Sequence, residues 1–440
     1  MADFLDDLIG IQKEFKAITD DIASETADLR GAAVSAEPVW TPGDYKVVPK
    51  GNAAMCVRCK HPDASCDLCM QVCPTDSIWI DDDGSLEIKA DCRKCGLCVA
   101  ACPTDALVSS MHGPRMVYDK ICKAAEANEM VYVTCTRALG HVPDAAEIVL
   151  PCVGALSADV WYSILCEYGN VGIYLPTGIC DKCRTTTGED FYTEQISVGE
   201  GWSGETVDLV TRERDLILEV DHQVERKQFV SNSMKSLGMT ASKVNPITAK
   251  LARAAEKISA HSKQIAELQK SLDRLCGAKS TAEKKRVLTN TRQLLLVALA
   301  NHPETAENIL FDIPVANESC DGCGECADAC PTKAIDILNG HAEVLSTHCV
   351  ACALCMDVCP VGAIDFEECD GTRLIVDDPE AQKKIEEEEK AKRQREEARE
   401  KGKEYGKKAL EFLERQSDLE DEEQRQAQAS PKGKKPAETA

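Results

Sequence analysis

Four runs of closely spaced cysteines, arranged as two pairs, constrain this chain more than any other feature. The C-terminal pair reads Cys320-x2-Cys323-x2-Cys326-x3-Cys330-Pro331 and Cys349-x2-Cys352-x2-Cys355-x3-Cys359-Pro360. The N-terminal pair contains one complete run, Cys92-x2-Cys95-x2-Cys98-x3-Cys102-Pro103. Its predecessor, Cys66-x2-Cys69-x3-Cys73-Pro74, has its first cysteine displaced to Cys59 or Cys56. Cys73 to Cys92 and Cys330 to Cys349 are both intervals of 19 positions, so the pairs form an internal repeat. The chain has 25 cysteines, an odd count, at metal-ligand rather than disulfide-framework spacings. A reducing compartment follows as the expectation.

The blocks resemble two-cluster bacterial-type ferredoxin domains, which wrap three near thiolates around one corner of a cubane and close it with a remote fourth. The resemblance implies four [4Fe–4S] clusters, since in that family the fourth cysteine of each run serves the other run's cluster. Carried over, one C-terminal set is Cys320, Cys323, Cys326 and Cys359, and the other is Cys349, Cys352, Cys355 and Cys330. At the N-terminus, Cys92, Cys95, Cys98 and Cys73 form one set. Cys66, Cys69, Cys102 and either Cys59 or Cys56 form the other. The alternative there is a tetrahedral zinc knuckle at Cys56, Cys59, Cys66 and Cys69, which would strand Cys102.

Between the blocks, residues 113–220 read as α/β. β-rich runs at Met130–Cys135, Glu147–Leu150 and Val171–Leu175 surround a helix expected from Ser157 to Tyr168. Cys135, Cys152 and the Cys180-x2-Cys183 pair each follow one of these runs. In a parallel sheet they would meet at the carboxyl edge, where ligands bind. The stretch from Val131 to Arg184 resembles the small iron–sulfur subunit of methyl-viologen-reducing hydrogenases. That implies a further [2Fe–2S] or [4Fe–4S] cluster at these four cysteines, and electron passage between a hydrogenase and a flavin-containing reductase. A redox-active Cys180/Cys183 dithiol is the alternative. Cys122, Cys166, Cys276 and Cys369 read as apolar packing. Gly199-x-Gly201-x-x-Gly204 matches a dinucleotide-binding expression, but no confident helix start follows it, so a glycine-rich loop is expected.

The remaining segments are helical. Phe4, Leu8, Ile11, Phe15, Ile18 and Ile22 give residues 1–50 an acidic amphipathic helix before a Pro/Gly linker. Residues 221–303 read as a helical hairpin or small bundle, its first helix opening at Pro246 and its second at a Ser280/Glu283 capping box. Residues 378–440 read as a charged helix and tail. The fold class expected is therefore α+β multidomain. Two ferredoxin-like modules, 51–112 and 304–377, flank the α/β domain and the hairpin, and the middle domain lies between the modules along the chain.

With 43% apolar residues the chain has enough for several cores. Its net charge of −24 excludes a nucleic-acid binder, which needs Lys and Arg against phosphate. No positive n-region or apolar h-region opens the sequence, and its longest apolar run, Leu294 to Ala300, is too short for a membrane span. A cytoplasmic, anaerobic electron-transfer subunit of an oxidoreductase complex is expected, rather than an enzyme alone. Its partners would be redox proteins of the flavoprotein, hydrogenase or molybdenum-enzyme type, with basic docking surfaces. The rivals are a disulfide or small-molecule reductase acting through Cys180/Cys183, and an accessory or assembly protein for a redox enzyme.

Overall fold

The computed structural model describes residues 42–218 except 63 and 82, residues 246–275 and 286–379, and the single positions 383 and 390. The expected helix from Phe4 to Ile22, the segment with Cys276, Ser280 and Glu283, and nearly all of the charged C-terminal helix lie outside the described residues. Residues through Ile265 pack with Ser280–Ile375 as one unit. Ala266–Lys279 and the residues from Val376 form a second, in which Arg274 pairs with the buried Asp378.

Each cysteine block folds as short helices held between two-stranded antiparallel ribbons. In the first block, β1 (Lys50–Gly51), α1 (Val57–Lys60) and α2 (Leu68–Gln71) precede the hairpin β2 (Ile78–Ile80) and β3 (Leu86–Ile88). α3 (Leu97–Ala101) and β4 (Leu107–Val108) follow, with β4 pairing back onto β1. The second block, examined below after the domain that separates them in sequence, repeats this plan with longer strands.

The intervening domain starts with α4 (Pro114–Ala127), whose Pro114 sits at a first-turn position where no N–H is needed. The strands β5 (Val131–Cys135) and β6 (Glu147–Leu150) follow, then α5 (Ala158–Glu167), β7 (Val171–Tyr174), α6 (Gly188–Ser203) and β8 (Asp208–Val210). The sheet is parallel, in the order β6-β5-β7-β8, with Tyr132 opposite Glu147 and Val131 opposite Val171. β5 and β7 are buried along their whole length, as an apolar run covered on both faces should be. Val133, Leu150, Trp161 and Ile164 form the core on one side, and Tyr132, Val149 and Tyr174 on the other. Ser157 holds the expected cap position, but the Ala158 N–H is satisfied by Gln195 of α6 at 3.0 Å.

Residues 221–303 contribute two helices among the described residues. α7 (Pro246–Leu275) lies on α4: the Tyr118 and His261 rings stand 4.8 Å apart, and Arg115 donates to Ser262 at 2.9 Å. α8 (Asn290–Asn301) has Leu294 through Leu299 buried on every side and packs on α5 and α4. A helix segment buried on every side is a core element. Among the described residues, no helix is long and apolar enough to cross a membrane.

The second block comprises β9 (Leu310–Ala316), α9 (Glu325–Ala329), β10 (Ile335–Leu338), β11 (His341–Val344), α10 (Leu354–Asp357) and β12 (Ile364–Asp370). β9 pairs with β12, and β10 with β11. Asn339 and Gly340 both have positive φ, 54° and 81°, which matches the twist of the two-residue hairpin they join. The 19-position interval shared by the two blocks is thus one hairpin, carried between a fourth cysteine and the next run's first.

The expected glycine-rich loop is corrected, because Gly199 and Gly201 lie inside α6 and only Gly204 ends it, with φ of 75°. At Gly199 the helix meets α5 so closely that an added Cβ would stand 2.7 Å from the Trp161 Cβ. Gly199→Ala should therefore destabilise the protein by about 1–3 kcal/mol, read as a lower urea midpoint at unchanged m-value.

Candidate metal centres

The cysteine runs curl because a residue between their second and third cysteines adopts the left-handed conformation. Gly96, Gly324 and Ala353 hold φ of 87°, 89° and 62° at the starts of α3, α9 and α10. This turns three thiols of a run toward one centre. In the C-terminal block Cys320, Cys323, Cys326 and Cys359 line a recess of about 280 Å³, closed below by Ile337 and Ile364. Next to it, burial drives the Cys355 thiol up, and the charges of Cys352, Cys349 and Cys330 push it further. Backbone N–H groups donate to the fourth cysteines: Ala334 to Cys330 at 3.3 Å and Ala363 to Cys359 at 3.2 Å.

In the N-terminal block Cys95 is pushed up to about 11 by burial and by the neighbouring Cys92 and Cys73. Cys69 is pushed up to about 12 by burial and by Cys102, Cys66 and Cys56. Cys66 is raised by burial, then by Cys102 and Cys56. Cys56 is buried and Cys59 half-buried, and Cys56 is the one of the two that raises the thiols of Cys66 and Cys69. The Ser77 N–H donates to Cys73 at 3.3 Å. Among the described residues no three His, Cys, Asp or Glu side chains gather as a single ion requires, and the zinc-knuckle thiols are no exception.

The middle domain brings its four cysteines together. Cys135 ends β5, Cys152 follows β6, and Cys180 and Cys183 follow β7, and all four line one recess of about 1050 Å³. Parallel strands present their carboxyl ends on one edge, so residues scattered over 49 positions converge there. Burial raises the Cys152 thiol, and Cys135, Cys95 and Cys183 raise it further. The Tyr192 hydroxyl lies 3.6 Å from the Cys180 sulfur, and the Thr185 N–H donates to Cys183 at 3.5 Å. Cys122 instead packs in the domain core, beside Tyr118 and Tyr168.

The order of these sites in space differs from their order in sequence. The two cysteine-rich modules touch each other directly: Cys66 and Cys352 pack on one small cluster of Val57, Ala64, Ala329 and Leu354. Ser65 donates both its N–H and its hydroxyl to Asp357, at 2.8 and 2.9 Å. The middle domain adjoins both modules: the Tyr162 and Thr305 hydroxyls stand 2.7 Å apart, the Thr187 hydroxyl donates to the Val72 carbonyl at 2.7 Å, and the loop after Cys95 lies on the turn after Cys152. Any Cβ at Gly96 would stand 2.9 Å from the Ala155 Cβ, three residues past Cys152.

A 4Fe-4S dicluster domain model matches residues 313–366, spanning all eight C-terminal block cysteines. A 4Fe-4S binding domain model matches residues 88–108, spanning Cys92, Cys95, Cys98 and Cys102. The chain carries two 4Fe–4S ferredoxin-type domains. No curated protein and no solved structure matches it. The donors fit such clusters: they are thiols alone, set around recesses, with backbone N–H groups aimed at their sulfurs.

Sequence reasoning overlooked the threonines that follow three of the fourth cysteines, although the Cys-Pro-Thr triplet recurs in plain view. Thr75, Thr104 and Thr332 place their hydroxyls 3.9, 3.7 and 3.5 Å from Cys73, Cys102 and Cys330. The fourth run has Val361 there. A hydroxyl donating to sulfur stabilises the electron-rich state. Thr332→Val should lower the potential of the cluster served by Cys330 by about 20–65 mV, the one-electron equivalent of a hydrogen bond worth about 0.5–1.5 kcal/mol. A potentiometric titration followed by electron paramagnetic resonance checks this, with no change expected at the other sites.

Proposed function

We propose that the protein is a multi-cluster iron–sulfur electron carrier that relays single electrons between partner oxidoreductases. Four [4Fe–4S] clusters would be held by Cys320, Cys323, Cys326 and Cys359; by Cys349, Cys352, Cys355 and Cys330; by Cys56, Cys66, Cys69 and Cys102; and by Cys92, Cys95, Cys98 and Cys73. A further cluster takes Cys135, Cys152, Cys180 and Cys183. The bound groups supply one-electron acceptance at low reorganisation. The chain's own residues exclude water from the thiolates, aim N–H and hydroxyl donors at them, and fix the spacing of neighbouring sites.

The observation that carries this reading is contiguity. Each candidate set adjoins the next: Cys326 and Cys355 share one buried cluster, Cys352 and Cys66 a second, Cys69 and Cys98 a third, and Gly96 next to Cys95 lies against Ala155 beyond Cys152. A carrier that shuttled by diffusion alone needs no such row. The resemblance of Val131 to Arg184 to the hydrogenase small subunit supports a hydrogenase or flavoprotein among the partners. A Cys180/Cys183 dithiol reductase is the weaker reading, because four thiols rather than two share the recess.

Anaerobically purified protein should contain about sixteen irons and sixteen acid-labile sulfides from the four cubanes, with about two to four more irons from the middle site. Cys56→Ser should lower iron by about four, whereas Cys59→Ser should leave it unchanged. Finding about eight irons in total, or loss of iron in Cys59→Ser alone, would overturn the assignment.

A further inference from the structure

The row of sites has two free ends. At one lie Cys320, Cys323, Cys326 and Cys359, which pack beside Cys355, and Cys323 is exposed. At the other lie Cys135, Cys152, Cys180 and Cys183, whose recess Arg93 of the N-terminal block also lines, with Ala155 lying against Gly96. The ends differ in charge. The side chains lining the first recess include Asp321 and Glu325 and no cation. Those lining the second include Lys46, Arg93, Arg137 and Arg184 against one carboxylate, Glu189. All four cations are exposed, and none is in an ion pair among the described residues. Only Arg137 is otherwise engaged, donating its Nε to the Ile179 carbonyl at 3.3 Å.

Such a rim is unexpected on a chain with net charge of −24. Overall charge argues for basic partners everywhere, yet a docking protein meets the local field at the recess, not the sum over 440 residues. At a salt concentration where the screening length is about 8 Å, acidic residues on the far module are hidden from a partner sitting at this mouth. Cations within the mouth are not. A positive rim also has no structural task here, since three of the four cations make no contact that the fold needs.

We infer that the mouth around Cys135, Cys152, Cys180 and Cys183 is a cationic docking face for an acidic electron-transfer protein, while the Cys323 end receives a basic one. The inference rests on the relay reading, and it gives the row a direction in space that overall charge does not. One electron crosses each face per encounter: the row gains or loses it, and the partner's acceptor loses or gains the same one. Two partners of opposite charge cannot exchange places, so each end meets its own.

The test uses the anaerobically purified full chain, reduced with dithionite and desalted, and two one-electron cobalt(III) oxidants of opposite charge. These are the tris-oxalato trianion and the hexaammine trication. Oxidation is followed by stopped flow at the spectroscopic component that Cys152→Ser removes. The trianion should react fastest at this component at about 0.01 M salt and slow as salt approaches about 1 M, where screening shortens to about 3 Å. Lys46→Glu with Arg184→Glu should slow it about tenfold at low salt and erase the salt dependence. Lys46→Gln with Arg184→Gln should give a smaller loss, and serves if the Glu pair fails to assemble. Neither pair should alter oxidation at the Cys323 end. An unchanged trianion rate in a variant that keeps its full iron and its middle-site signal overturns the docking face and leaves the relay intact. Absence of that signal from the unmodified protein overturns the middle-site relay reading itself, and the docking face with it.

Discussion

Thiols crowded together away from water resist ionisation, and the rest of this structure depends on how that cost is met. Burial alone raises the thiols of Cys69, Cys95 and Cys352, and every neighbouring thiolate raises them further. Cations relieve that cost in part, Arg292 lowering the Cys349 thiol and Lys46 that of Cys135. The remaining positive charge has to come from iron, which is why the donors are cysteines throughout and why the N–H groups of Ser77, Ala334 and Ala363 point at sulfur.

The same constraint explains the sparse cores of the two ferredoxin-type domains. In the C-terminal one, three of eight buried core residues are Cys326, Cys330 and Cys355, and three more are alanines. Ile335 and Ile364 supply nearly all the aliphatic bulk. A core this thin buries too little apolar surface to hold ribbons of four to seven residues on its own. The middle domain differs, since Trp161, Tyr132, Ile121 and Leu294 fill both faces of its sheet. It can be expected to hold its shape with the recess at its edge whatever that edge binds.

Packing between the domains then turns separate sites into neighbours. Leu354 and Val57 are almost wholly buried against each other's modules, and the Ser65 contacts to Asp357 fix that junction. At the opposite side, α3 lies on the turn after Cys152, with Gly96 small enough to let Ala155 approach. Each junction puts cysteines of two sets close to one another. A short distance between sites is what makes single-electron transfer between them fast, so these contacts have a functional weight beyond stability.

Much of this was legible in the residues. The spacing of cysteines identified the ferredoxin-type runs, because ligands to a cubane must sit at fixed intervals along the chain, and β5, β6, β7 and α5 followed from apolar runs and turn residues. The meeting of Cys135, Cys152, Cys180 and Cys183 was legible too, since parallel topology alone brings strand ends together. Other features were not. Whether Cys56 or Cys59 completes its set is one of them, since spacing treats both alike. The packing of α7 and α8 on α4 was not legible either, because contacts distant in sequence choose it and local periodicity does not. The order of the sites was hidden most deeply. Local periodicity fixes what each segment becomes, but contacts between residues some 300 positions apart, such as Ser65 and Asp357, decide which segments become neighbours, and only the folded chain holds those.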